Sequence, residues 1–148
     1  ESRQLFEHYL ASPDSHTVAT LQKQHPTTIH TQLVTLLAAK NAFDQQQYLE
    51  TEQQLTYVLN HSTDPDLQTI AASRLSSLYR QMNHTEKAAQ VLSKVEKHSA
   101  YSKYLQALCE PQHSESRMIY LNEAMQLNPS EYLKQLITLA NYNNIGAE

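Results

Sequence analysis

The sequence predicts an all-α fold of paired helices, and three observations carry that expectation. Glycine occurs once in 148 residues, at Gly146. A β-sandwich or barrel needs many turns at positive φ, and a nucleotide-binding α/β fold needs a glycine-rich phosphate loop. A single glycine speaks against nearly all of these. Second, from Thr28 onward apolar residues recur at three- and four-residue steps, the spacing of one helix face. Third, Gln, Ala, Leu and Lys, which tolerate helix well, are plentiful. With 40% hydrophobic and 18% charged residues, the chain has the composition of one ordinary folded domain rather than a disordered segment.

Taken in order, Glu1 to Ala11 reads as a first helix with Leu5, Phe6, Tyr9 and Leu10 apolar; Phe6 and Leu10 lie one turn apart and are expected to dock on the body. Ser12-Pro13-Asp14 breaks it, and Val18 and Leu21 belong to a second short helix ending before Pro26. Ile29, Leu33, Leu36, Leu37 and Phe43 then form one stripe, followed by a polar break at Gln45-Gln46-Gln47. Further stripes are Leu55-Val58-Leu59, the run from Leu67 through Ile70, Leu75, Leu78 and Tyr79 to Met82, and Ala88-Leu92-Val95. Tyr101-Tyr104-Leu105-Leu108, Met118-Leu121-Ala124-Met125 and Leu133-Leu136-Ile137-Ala140 close the series. The punctuation agrees. Thr63-Asp64-Pro65-Asp66 offers a cap before a first-turn proline. Asn128-Pro129-Ser130-Glu131 offers the same with a glutamate at N3. Thr85 is placed to cap the helix that follows it. Glu110 before Pro111 should end another.

Self-similarity is the most specific signal. Leu75-Ser76, Tyr79, Ala88, Leu92 and Val95 set a large residue beside a small one, then an aromatic, then a small residue on the next helix. This resembles the tetratricopeptide spacing, in which small side chains let two helices approach closely. One repeat earlier, Ala38-Ala39, Ala42, Thr51, Leu55 and Val58 fall in register, with Thr51 in place of alanine. A third copy runs back from Pro129 through Ala124 and Leu121, with Arg117 at the small position. The expected architecture is therefore a tetratricopeptide-like array of about three helix pairs with flanking N- and C-terminal helices. Its repeat domain spans 28–148, behind a helical segment at 1–27. In such an array the first helices line the concave face. By register that face carries Lys40, Phe43, Asp44, Ser73, Ser77, Arg80, Gln81, Gln106 and Glu110, a polar, mixed-charge set suited to protein contacts. Tyr79, Tyr101 and Tyr104 read as packing residues; Tyr48 and Tyr57 are less clearly inward.

The segment from Leu33 to Val95 also resembles a known family. Its pieces LLAAKNAF, QLTYVLNHSTDPDLQTIA, RLSSLY and KAAQVL are similar to the periplasmic domain of the YfgM family, the ancillary subunit of the bacterial SecYEG translocon. The likeness continues through YLQALCEPQHSESRMIYLNEAM to YLKQLITLANYNNI. Thr51 and Arg117 depart from the family's small residues. The resemblance implies a transmembrane helix before Glu1 and a soluble domain on the periplasmic side of the inner membrane. It implies partners among translocon subunits, a membrane-anchored periplasmic chaperone and exported clients.

Other function classes find little support. A net charge of −4 with only 11 Lys and Arg, in no basic run, gives nothing to neutralise nucleic-acid phosphates. Eight histidines invite a metal, but no two of them lie within four residues of each other, against the close pairs that structural zinc uses. Cys109 is the only cysteine, so no intrachain disulfide forms, and it sits near an expected helix end where the dipole disfavours a thiolate. No catalytic motif is present, so no cofactor and no enzyme activity are expected. Two further readings remain open: a tetratricopeptide adaptor in some other assembly, and a helical bundle that holds a metal through its histidines. Exposed helix faces at the ends of an array could also pair to give a homodimer.

Overall fold

The computed structural model describes residues 1–146, with side chains through Tyr142. These residues form nine helices and no strand: α1 (Ser2–Ala11), α2 (Ser15–Gln24), α3 (Ile29–Asp44), α4 (Tyr48–His61), α5 (Pro65–Gln81), α6 (Thr85–Ser93), α7 (Ala100–Cys109), α8 (Glu115–Gln126) and α9 (Glu131–Gly146). The all-α helical-repeat expectation holds. The chain divides into two compact units, Glu1–Ala71 and Ala72–Glu148.

In the first unit α1 and α2 pack on α3, and α3 packs on α4. Tyr9, Val18, Leu21 and Val34 form a buried cluster that Leu5, Phe6 and Ala38 cover. Phe6 docks as expected, but Leu10 is 53% exposed and does not. Asp14 fixes the start of α2: one carboxylate oxygen accepts the Thr17 amide at 2.7 Å and the other the Thr17 hydroxyl at 2.7 Å. These bonds, the backbone one foremost, hold the Asp14 carboxyl below the usual aspartate range. Thr28 caps α3 by accepting the Thr31 amide. Gln32 donates to the Pro26 carbonyl at 2.6 Å and Thr31 to that of His25 at 2.6 Å, so α3 holds the turn that precedes it. Asp64 accepts the Asp66 and Leu67 amides at the start of α5. Thr51, where the repeat pattern asks for alanine, is 3% exposed and returns its hydroxyl to the Gln47 carbonyl at 2.8 Å. That bond satisfies the polar atom, which is why a buried threonine fits.

The same turn closes α3 and α5. Gln47 N–H donates to Ala42 and Gln46 N–H to Phe43, with Gln46 at φ 62. One repeat later His84 N–H donates to Tyr79 and Asn83 N–H to Arg80, with Asn83 at φ 63. Each pair of bonds is a Schellman closure, and Ala42 and Tyr79 occupy the same repeat position. The repeat seen in the sequence is thus repeated in backbone geometry. Glycine usually takes the left-handed residue of this turn. Gln46→Gly is therefore expected to stabilise the fold by roughly 0.5–1 kcal/mol, and Asn83→Gly by less, because asparagine tolerates αL better. Urea unfolding of the two variants checks the order.

In the second unit α7 packs on α6 and α8, and α8 on α9. Ala100, Ala107, Leu121, Ala124, Leu133, Ile137 and Ala140 form its core, with Tyr104, Tyr120 and Leu136 against them. Two expected caps are corrected. His84 precedes α6 without a side-chain cap, so Thr85 is its first residue. At α9 the cap is Ser130, whose hydroxyl accepts the Leu133 amide at 3.2 Å. Asn128 instead lies just beyond α8 at φ 53, where asparagine tolerates the left-handed conformation. Glu110 ends α7 as expected. Arg117, the other departure from the repeat pattern, reaches back along α7. Its guanidinium donates to the Glu110 carbonyl at 3.2 Å, just past the helix, and gives a second donor at 3.4 Å to the Ala107 carbonyl, which already takes the Glu110 amide.

His98, before α7, shares a 3.0 Å contact with the Ser102 hydroxyl. Burial holds its imidazole below the ordinary range, Lys103 acts the same way and Glu123 opposes. A lowered folded-state value means the unfolded chain binds the proton more readily. Stability is therefore intact above the unfolded value, near about 6.5, and declines as the pH falls from there toward the folded value. The melting temperature should fall as the pH drops below about 6.5, the ordinary imidazole value, and His98→Gln should flatten that slope.

Candidate functional site

By repeat register α3, α5 and α7 are first helices, whose outward faces are the candidate site. On α3 the face is built at the helix's C-terminal half. Lys40 and Asp44, one turn apart, are exposed and bound to each other, Nζ to Oδ2 at 3.0 Å. An exposed i,i+4 pair contributes only about 0.3–0.5 kcal/mol, so either partner is readily given up to an incoming group. Phe43 is 40% exposed and leans on Tyr48, ring centroids 5.7 Å apart. Ile29 and Leu37, which the sequence places on a core stripe, are instead 47% and 38% exposed. The physical reason is that α3 carries more apolar residues than one face can hold. Val34, Leu36, Ala39 and Ala42 fill the buried side, which leaves the others outside. This face is more apolar than the sequence suggested.

The second unit places the remaining expected residues less uniformly. Ser73 is 4% exposed, so it offers a partner almost nothing and is corrected to a packing residue: its small side chain faces inward on α5. Ser77 is half-buried, its hydroxyl 3.3 Å from that of Tyr101. Gln81 is exposed; Arg80, Gln106 and Glu110 are half-buried. Glu110 is engaged through its carbonyl with Arg117. Tyr101 is corrected from packing to surface, at 44% exposure, and lies against Tyr104 with centroids 6.5 Å apart. Burial raises the Tyr104 phenol above its ordinary range, while the positive charges of Arg80 and Arg117 pull it back. Tyr57, in the first unit, is structural: its hydroxyl donates to the Gln22 carbonyl at 2.9 Å.

Burial likewise raises the Cys109 thiol, and Glu110 adds to this, against smaller lowering from Ser76 and Arg80. A thiol so placed is not an activated nucleophile. Among the described residues no group of three or more His, Cys, Asp or Glu side chains is placed to hold a metal ion. No helix among them is long and apolar enough to cross a membrane.

A family model described as a tetratricopeptide repeat-like domain matches residues 9–108, more than half of the chain. No curated protein and no solved structure matches it. No enzymatic family is indicated.

Proposed function

This chain belongs to the tetratricopeptide repeat-like domain family, and from that premise we propose that it is a non-catalytic scaffold holding other proteins on the outward faces of its first helices. The observation that carries this reading is on α3. Leu37 and Phe43 leave large apolar side chains about two-fifths exposed, beside a Lys40–Asp44 pair that exchanges cheaply, and Ile29 is exposed at the far end of the same helix. Half-exposed aliphatic and aromatic anchors with a polar rim are what a protein interface is made of.

The finer reading is assistance to protein export. The domain would stand on the periplasmic side of the bacterial inner membrane, tethered by a helix outside this stretch. It would touch SecYEG translocon subunits and a membrane-anchored periplasmic chaperone, with exported chains as clients. Support for it is the similarity of LLAAKNAF, QLTYVLNHSTDPDLQTIA and RLSSLY to the YfgM family. Crosslinking in intact membranes followed by capture of this protein tests it. Recovery of translocon subunits and chaperone is expected. Capture of other assemblies with no translocon component would leave the scaffold reading and remove the export one.

A further inference from the structure

The first unit holds a groove of about 770 Å³ with walls from α2, α3 and α4 and the α1–α2 turn at its end. It is not the face described above. At 100° per residue, Ala38 and Gln45 lie roughly a quarter-turn or more around α3 from Leu37, Lys40 and Asp44, while Asn41, about 40° from Leu37, marks the border between the two. Its polar lining is directional. Glu50, as a carboxylate, can only accept, so the Gln54 amide nitrogen must face it, at 3.3 Å. That turns the Gln54 oxygen toward Gln22, whose nitrogen donates to it at 2.7 Å and to the Thr35 hydroxyl at 3.1 Å. Thr35 passes its own proton to the Thr31 carbonyl at 2.7 Å. One carboxylate thereby fixes every donor in the row. Both Gln22 protons are spent inside the protein, and the Gln22 oxygen and the second Glu50 oxygen are left as acceptors.

The charge has the same sense. No Lys or Arg lines the groove, and its carboxylates are Glu50 and Asp14. At the floor the polarity reverses. Tyr9 is 3% exposed, lines the groove, and accepts from the Asn41 amide at 3.3 Å. Its own O–H proton remains to be donated, and burial keeps the phenol protonated. An occupant must therefore bring a cationic donor for the wall and a neutral acceptor for the floor. A polyamine has only the first; a polypeptide with a basic side chain has both.

We propose that this groove docks a basic segment of a partner polypeptide, a Lys or Arg side chain meeting Glu50 and Gln22 while a backbone carbonyl takes the Tyr9 hydroxyl. The site adjoins the α3 face only at Asn41, and its acceptors Glu50 and Gln22 lie on α4 and α2, so it stands whether or not that face binds partners. The test titrates the full chain into a fluorescein-labelled Gly/Ser peptide carrying arginines, and into its twin with citrulline for arginine. Saturable binding of the arginine peptide is expected, with about a tenfold loss for the citrulline twin, since a charge-assisted contact disappears. Glu50→Gln should weaken the arginine peptide by a similar factor, Tyr9→Phe by less, and Glu115→Gln on exposed α8 not at all. Equal binding of the two peptides would overturn the proposal on the unaltered protein, without reliance on any variant folding. So would an equal loss in Glu115→Gln, the mark of unspecific charge attraction. Spermidine binding as tightly as the peptide, and equally well to Tyr9→Phe, would make this a small-cation pocket and overturn the polypeptide occupant.

Discussion

Leu121→Ala is expected to lower the free energy of unfolding by about 3 kcal/mol, within the range of large-to-small core changes. Leu121 has no solvent exposure and sits among Ala107, Ala124 and Ile137. Two of those neighbours are alanines already packed at a helix crossing, with no side chain long enough to swing into the vacated space. The cavity persists, and the lost transfer energy is joined by lost packing. Leu127→Ala serves as the contrast. Leu127 is 42% exposed just past α8, and its loss should stay near or below about 1 kcal/mol. Urea unfolding of the full chain measures both, and comparable losses would mean that α8 does not pack as described.

The second large effect is on binding. Replacing Leu37 and Phe43 together by serine should reduce partner capture by tenfold or more, the usual consequence of deleting two anchors of an interface. Both side chains are about two-fifths exposed, so the fold should lose only about 1 kcal/mol. Capture and melting temperature measured on the same preparation separate the two. A large drop in melting temperature would make these residues core; unchanged capture with an intact fold would take the α3 face out of the account.

The fold was largely legible, because its signals are local. The polar break at Gln45-Gln46-Gln47, the Asp64-Pro65 start and the Glu110-Pro111 stop all lie where helices end. Such signals depend on which atoms a residue can offer its own backbone, and sequence states that directly. The errors came where two residues compete for one role. Asn128 and Ser130 can each cap; the hydroxyl of Ser130 took the amide and the asparagine took the left-handed turn. The site was less legible for a related reason. A helix with apolar residues on two sides, such as α3, shows which positions are apolar but not which side finds a neighbour. Spacing alone puts Leu37 and Tyr101 in the core and Ser73, small and polar, at the surface, and packing reverses all three. The groove behind Glu50 was not visible at all. It needs Gln22, Gln54 and Tyr9, from three helices, brought together by packing that no spacing along the chain records.

The claim that matters most is that the first-helix face of α3 holds protein. Photo-crosslinking in the cells that make this protein addresses it most directly, with a photoreactive residue at position 43 in one variant and at exposed position 90 on α6 in another. The account predicts discrete protein adducts from position 43 that are absent from position 90 and lost when Leu37→Ser is added. Adducts of equal strength from both positions, or none from position 43, would contradict it.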